Sequence, residues 1–153
     1  MTAAPPSAVV DAWQGALAAE HAAIFGYGTL GPHLPPARVD QARVFERAHR
    51  RVRDTVIDQM GAVGVHPVAA QADYPVPFAL TTGPRADRYA QRLEEACAAA
   101  WRFVVASAAE QPQPQTELRA FAVGALTASA VRATQWREVL TPASPTVAFP
   151  GVG

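Results

Sequence analysis

Prolines divide this chain into four long segments, each with the length and apolar spacing of a helix. Proline is well tolerated in the first turn of a helix, but it interrupts a helix farther along. The prolines therefore mark where helices begin and end. In chain order, the predicted helices begin near Pro6, Ala37, Pro84 and Thr116, and they end near Gly31, Val63, Gln111 and Pro142. Thr116 is predicted to cap the fourth helix, with Glu117 in its first turn.

The connections between these segments predict how the helices are arranged. The first and last are about five residues long, which makes helices 1 and 2 antiparallel neighbours, and likewise helices 3 and 4. The middle connection, at about 65–83, is long enough to run the length of a bundle. Four of its residues are expected to pack on the helices: Tyr74, Val76, Phe78 and Leu80. Because β-branched alternation is nearly absent, we predict an all-α four-helix bundle with one long crossover between helices 2 and 3.

Composition and charge limit the possible function classes. Half of the 153 residues are apolar and the formal net charge is zero, which predicts one bundle domain at 1–141. The tail at 142–153 is expected to be extended, with Val147 and Phe149 docked on the surface. The charge balance disfavours a nucleic-acid partner, and the uncharged runs are too short to span a bilayer. The N-terminal sequence MTAAPPSAVV does not resemble a signal peptide, so we expect a cytoplasmic protein.

The sequence AAEHAAIFGYG, at 18–28, places ionisable residues within an apolar helix. Bundle helices bury residues that are alternately three and four apart. That spacing, continued from Leu17, puts Glu20 on the stripe that faces the core. Tyr27 lies on the same stripe and is expected either to turn its hydroxyl toward Glu20 or to anchor the helix end. His21 lies one step off the stripe and is expected at a helix boundary or the surface.

The second helix carries the sequence FERAHRRVRD at 45–54. Its inward stripe includes Glu46, His49 and Arg53, three consecutive ionisable positions. Glu46 and His49 are one turn apart, so both side chains can reach one ion. The first loop is centred between residues 33 and 34, and Glu20 and Glu46 each lie about 13 residues from it. In an antiparallel pair they are expected to face each other at the same level.

The third and fourth helices complete the predicted polar core. On helix 3 the inward series includes Glu94, Cys97 and Trp101, while Glu95 falls on the outer face. On helix 4 the inward series includes Ser129 and Arg132. Helix 4 has no second Glu-x-x-His sequence at this level.

The chain resembles the ferritin-like superfamily on the strength of AAEHAAIFGYG, FERAHRRVRD and the bundle with one long crossover. More narrowly, it resembles the alanine-rich ferritin-like proteins of unknown function found in actinobacteria. The resemblance covers nearly the whole chain. The superfamily implies iron storage, oxidation or oxygen activation, which carries over here to Glu20, Glu46, His49 and Glu94. The helix-4 ligands that would complete a two-iron centre are missing.

Two hypotheses explain carboxylates on inward stripes, because a buried carboxylate needs a cationic partner. In the first, arginine supplies the charge, and the network consists of Glu20, Glu46, His49, Arg53, Glu94, Arg132 and Tyr27. In the second, iron or manganese supplies it, with Glu20, Glu46, His49 and Glu94 as ligands of a metal-dependent oxidoreductase or iron-handling protein. We favour the first, a non-catalytic binding or structural bundle that needs no cofactor. The direction of Arg132 separates them, since a guanidinium aimed at the carboxylates opposes a cation there.

Other features lead to simpler expectations. A small acidic ligand held by Arg53 and Arg132 is a third hypothesis, and a homodimer through an alanine-rich helix face is expected from the habit of helical bundles. A single cysteine excludes an intrachain disulfide and a Cys-rich zinc site, and Cys97 is expected to be a packed core thiol. Core positions are predicted for Trp13, Trp101 and Trp136, and exposed positions for His33 and His66.

Overall fold

The fold is given by a computed structural model that describes residues 5–111 and 115–152. Within these ranges the chain forms four long α-helices: α1 at Ser7–Leu30, α2 at Pro36–Ala62, α3 at Gly83–Ala109 and α4 at Thr116–Leu140. A short 3₁₀ turn at Gly31–His33 joins α1 to α2. The predicted all-α fold with four helices is confirmed. Most of the predicted QPQPQ connection, at 112–114, lies outside the described residues.

Proline chemistry sets most of the helix starts. Pro36 is the first residue of α2, and Pro84 lies in the first turn of α3, where the missing N–H costs no helical hydrogen bond. Helix α1 begins after Pro6, whose carbonyl accepts hydrogen bonds from the amides of Val9 and Val10. Helix α4 differs from the prediction.

The N-terminus of α4 lacks the predicted side-chain cap. Gln115 occupies the capping position without a side-chain hydrogen bond, and Thr116 is already the first helical residue. Glu117 lies in the first turn, as predicted, where its charge is favourable to the helix dipole. The start of α4 therefore depends on the dipole and on packing.

The crossover at 63–82 runs along the bundle, as its length predicted, and it contains neither helix nor strand. Alternate residues in its second half are partly buried: Tyr74, Val76, Phe78 and Leu80. The ring centroids of Tyr74 and Phe25 are 5.4 Å apart. Gln14 of α1 holds the first half through two hydrogen bonds, donating to the His66 carbonyl at 2.6 Å and accepting from the Val68 amide at 2.8 Å. The crossover is therefore held by packing and by a polar side chain.

Helix α1 packs between α2 and α3, and α4 packs against α3. Gly26 of α1 lies in close contact with α3. A Cβ added there would overlap the methyl groups of Leu93 and come within 3.1 Å of the Tyr89 hydroxyl. Glycine at this position lets the two helices approach each other.

Replacing Gly26 with alanine should therefore lower the free energy of unfolding by about 1–2 kcal/mol, because the Leu93 side chain must shift in a packed core. Gly15, on the same helix, is the matched control because a Cβ there would meet no atom within 4 Å. Gly15→Ala should raise the free energy of unfolding by about 0.5–1 kcal/mol through helix propensity. Urea denaturation followed by circular dichroism measures both. A stabilised Gly26→Ala variant would show that the helices are not in tight contact here.

The C-terminal tail is attached differently from the prediction. Val147 and Phe149 are exposed, Phe149 by 75%. The attachment instead involves the tail backbone, since the Arg137 guanidinium donates to the Pro145 carbonyl at 3.2 Å. Gly151 has a φ of +80°, and a Cβ on it would lie 2.8 Å from the Ala98 carbonyl oxygen. The tail therefore approaches α3 closely at Gly151, while its two apolar side chains remain exposed.

Two apolar clusters fill the bundle. One includes Ala23, Tyr27 and Trp136, and the other includes Leu17, Val56 and Trp101. Every helix passes from one cluster to the other, and between them each helix presents buried polar side chains. Among the described residues, no helix is both long and apolar enough to cross a membrane.

Candidate functional site

A layer of buried polar residues lies between the two apolar clusters. It is built by one or two residues from each helix: Glu20 from α1, His49 from α2, Glu94 from α3, and Ser129 with Arg132 from α4. Glu20, His49 and Glu94 are at most 1% exposed. Ionisable groups with so little solvent must stabilise one another.

His49 bridges the two carboxylates of this layer. Its Nδ1 lies 2.6 Å from Glu20 Oε2, and its Nε2 lies 3.0 Å from Glu94 Oε1. A carboxylate can only accept a hydrogen bond, so both ring nitrogens donate when the imidazole is protonated. The geometry therefore suits an imidazolium ion between two anions.

The proton on His49 is held by its surroundings. Burial lowers the pKa of His49, but the hydrogen bonds to Glu20 and Glu94 raise it, and the resulting pKa lies well above 6.5. Burial also raises the pKa of the Cys97 thiol to about 12, so the thiol is neutral at pH 7. The negative charge that holds the proton is therefore that of the carboxylates.

Arg132 supplies the second cation. Its Nε lies 2.9 Å from Glu94 Oε1 and 3.0 Å from Oε2, and its Nη2 donates to Ser129 Oγ at 3.1 Å. Burial would raise the pKa of Glu94, but His49 and Arg132 together hold it below its ordinary value. Two carboxylates, one imidazolium and one guanidinium give the layer a net charge of zero.

Aromatic donors complete the network. The Trp101 indole N–H donates to Glu20 Oε1 at 2.7 Å, and the Tyr27 hydroxyl donates to Glu94 Oε1 at 2.6 Å. The Trp136 indole N–H donates in turn to the Tyr27 oxygen at 2.8 Å. Every oxygen of both carboxylates accepts at least one hydrogen bond, which is the condition for burying a charge at tolerable cost.

The structure brings five of the seven predicted network residues together: Glu20, Tyr27, His49, Glu94 and Arg132. The structure does not place the other two, Glu46 and Arg53, in the network, which corrects the prediction. Glu46 accepts hydrogen bonds from Arg50 at 2.6 and 3.2 Å, and Arg53 donates to Asp54 at 2.8 Å, so both form pairs along α2. The Arg132 guanidinium points at the Glu94 carboxylate, and this is the direction that opposes a metal cation there.

The physical reason for both corrections is the narrow buried stripe of α2. Only four residues of this helix are buried: Ala42, His49, Val56 and Met60. Glu46 and Arg53, three residues before and four residues after His49, lie on the flanks of that stripe. The residue of α2 that faces Glu20 was predicted to within one helical turn. It is His49 rather than Glu46.

Several members of the layer were missed or misplaced by the sequence reasoning. Trp101 and Trp136 are buried as predicted, but their N–H groups also donate to the network. His21 is buried rather than exposed, and its Nε2 lies 3.1 Å from the Val68 carbonyl of the crossover. The sequence positions of the two tryptophans could have indicated this role, because Trp101 follows Glu94 by seven residues and Trp136 follows Arg132 by four, on the same stripes. His33 and His66 are exposed, as predicted.

Comparison with known proteins identifies a family for this fold and site. Residues 12–153 match the model of a domain of unknown function, DUF4439. The chain belongs to this family. The DUF4439 chain is also similar to the crystal structure of a conserved hypothetical protein, rv2844, from Mycobacterium tuberculosis. The two are 38% identical with a TM-score of 0.80, over 89% of this chain and 99% of that one. No curated protein matches the chain.

Three potential metal-ligating side chains of the DUF4439 domain lie close together. They are Glu20, His49 and Cys97, and one ligand atom of each lies within 4.8 Å of the others. Glu94 touches the same imidazole but is held by Arg132. A cleft of about 390 Å³ between the end of α1 and the start of α2 includes Tyr27 and Glu46 in its lining. It reaches the edge of the polar layer at Tyr27.

The DUF4439 domain should lose stability as pH rises above neutrality. The folded-state pKa of His49 lies above 6.5, so its contribution is complete below pH 6.5 and is lost as pH rises toward the folded value. Between pH 6.5 and about 7.5, below the range in which free thiols ionise, the free energy of unfolding should fall by up to about 1.4 kcal/mol per pH unit. Urea denaturation at several pH values measures this slope. His49→Gln should flatten it, and an equal slope in this variant would assign the titration to another group.

Proposed function

We propose that this domain is a non-catalytic binding or structural bundle, with an arginine–carboxylate network in the place where metal-binding ferritin-like bundles hold two iron ions. The single observation that carries this proposal is the Arg132 guanidinium on Glu94, at 2.9 and 3.0 Å. A two-iron centre needs a metal ion beside Glu94, and the positive charge of this guanidinium repels one there. The same guanidinium meets the hydrogen-bonding needs of the carboxylate that would otherwise bridge the metals.

The other network contacts support the same proposal. Both nitrogens of His49 already face carboxylates, so an iron ion would have to displace a proton from one of them. Glu46, the nearest further carboxylate on α2, pairs with Arg50 at the surface. The competing proposal, an iron- or manganese-dependent oxidoreductase using Glu20, Glu46, His49 and Glu94, needs Glu46 to leave that pair.

A small acidic ligand held by Arg53 and Arg132 has less support. Arg132 is bound to Glu94 and Ser129, and Arg53 donates to Asp54, so the two arginines do not form one anion site. The homodimer stays a prediction, which sedimentation equilibrium of the purified protein would test.

Anaerobic titration with ferrous iron, followed by exposure to oxygen, tests the proposed function. Metal analysis should find fewer than about two iron ions per chain, and oxygen uptake should equal that of buffer containing the same iron. Arg132→Met tests the role of the guanidinium, because this variant removes the charge that repels iron but retains a long side chain. About two iron ions per wild-type chain, with iron-dependent oxygen uptake that Glu46→Gln abolishes, would contradict the proposal.

A further inference from the structure

Three different ligand chemistries meet at one point on the Cys97 side of the polar layer. Glu20 comes from α1, His49 from α2 and Cys97 from α3, and a ligand atom of each lies within 4.8 Å of the other two. His49 and Cys97 are 0% exposed and Glu20 is 1% exposed. The Cys97 thiol donates a long hydrogen bond to the Ala19 carbonyl, at 3.5 Å. An oxygen, a nitrogen and a sulfur from three helices thus converge in a dry interior.

This donor set selects a class of metal ion. Magnesium, calcium and manganese prefer oxygen ligands, whereas a thiolate with an imidazole favours zinc and ions of similar softness. Donor atoms around a tetrahedral zinc ion are roughly 3.5 Å apart, given zinc–ligand bonds of roughly 2.0–2.3 Å. To reach that geometry, donor atoms at the 4.8 Å limit must approach by about 1.3 Å, while His49 Nδ1 and Glu20 Oε2, at 2.6 Å, must separate by about 1 Å.

We propose that the centre of this bundle binds one thiophilic divalent cation of the zinc class through the Glu20 carboxylate, the His49 imidazole and the Cys97 thiolate. This inference rests on the proposed function and names the ligand of the same centre. It retains the Arg132–Glu94 pair intact, so Glu94 acts as a counter-charge and not as a metal ligand. The fourth position of the ion is left to a small external ligand.

The charges around the centre fit a single divalent ion. Metal ligation uses a neutral imidazole and a thiolate, so one divalent ion replaces two protons. The layer then holds Glu20, Glu94, the Cys97 thiolate, Arg132 and the ion, and its net charge is zero, as it is without the ion. One ion therefore enters without leaving an uncompensated charge in the interior.

Cobalt(II) titration under anaerobic, reducing conditions tests this site, because a thiolate bound to cobalt gives a sulfur-to-metal charge-transfer absorption in the near ultraviolet. The wild-type protein should bind about one cobalt ion with this absorption, and zinc should displace it. Cys97→Ser and Cys97→Ala should remove the absorption and weaken binding by at least about 100-fold, beyond the range expected for an indirect partner of a ligand. Circular dichroism confirms that each variant is folded.

Two carboxylate variants serve as matched controls. Glu46→Gln and Glu95→Gln alter residues that pair with Arg50 and Arg137 outside the layer, so both should bind cobalt like the wild-type chain. The absence of cobalt binding by the wild-type protein would overturn the inference, and so would binding without the sulfur absorption. Neither result affects the proposed function, which fails only if two iron ions bind in a Glu46-dependent way.

Discussion

Replacing Arg132 with methionine is expected to lower the free energy of unfolding by about 3–5 kcal/mol. The guanidinium is the cation that meets both oxygens of Glu94, and this carboxylate is fully buried. Without it, two negative charges and one imidazolium remain in a layer closed to water. Methionine fills much of the same volume, so the loss reports the charge and its hydrogen bonds rather than a cavity. Urea denaturation followed by circular dichroism at pH 7 measures it.

Arg53→Met is the matched control for this experiment. Arg53 is on α2 and donates to Asp54, whose side chain is 62% exposed. Such an exposed ion pair contributes little to the free energy of unfolding. Its replacement should change the free energy of unfolding by less than about 1 kcal/mol. Equal losses in the two variants would mean that Arg132 stabilises the fold through its aliphatic stem alone.

Replacing Trp101 with phenylalanine has the second largest expected effect, a loss of about 2–4 kcal/mol. The indole N–H is the donor to Glu20 Oε1, at 2.7 Å, and both groups are buried. Phenylalanine retains most of the apolar contact but leaves one oxygen of a buried carboxylate without a donor. Hydrogen bonds to charged groups are worth more than neutral ones, and an unpaired buried acceptor adds its desolvation cost. Thermal and urea denaturation both measure the change.

Trp13→Phe offers a matched control within the same apolar cluster. Trp13 is also buried, but its indole N–H has no hydrogen-bond partner within residues 5–111 and 115–152. Phenylalanine removes an unsatisfied donor and leaves a similar cavity, so this variant should lose at least about 1 kcal/mol less than Trp101→Phe. A Trp13→Phe variant that loses as much as Trp101→Phe would show that ring volume, not the Glu20 hydrogen bond, determines the effect.

The fold could be predicted well from the sequence because its boundaries depend on local chemistry. Proline at residues 6, 36 and 84 limits where helices begin, and this constraint does not depend on tertiary contacts. The length of the 63–82 connection fixed its role as a crossover in the same way. The cap of α4 was predicted less well, because Thr116 is equally suited to the first helical position and the choice depends on the preceding backbone.

The membership of the polar layer could be predicted only in part. Glu20, Glu94 and Arg132 lie on helices that bury more residues than α2 does, so the apolar spacing around them indicated the inward stripe more clearly. Glu46 and Arg53 flank His49 on a helix whose buried stripe is narrow, so their placement depends on how α2 is rotated against α1. That rotation is decided by packing, and the sequence period alone does not specify it.

The sequence pattern did not predict which residues of the layer form hydrogen bonds with each other. A stripe position indicates that Cys97 or Trp101 is buried, but it does not indicate which atom the side chain meets on another helix. The hydrogen bond from Trp101 to Glu20 joins residues that are 81 positions apart. The same holds for Cys97, which was predicted as a packed thiol and also lies among potential ligands.

A double-mutant cycle between Arg132 and Glu94 measures whether a charge-balanced network stabilises the centre of the bundle. The free energies of unfolding of wild type, Arg132→Met, Glu94→Gln and the double variant give the coupling between the two residues. We expect a favourable coupling of about 1–3 kcal/mol, with the double variant more stable than Arg132→Met alone, because Glu94→Gln removes the stranded charge. Losses that add to within about 0.5 kcal/mol would contradict a stabilising network, because the guanidinium and the carboxylate would then act independently.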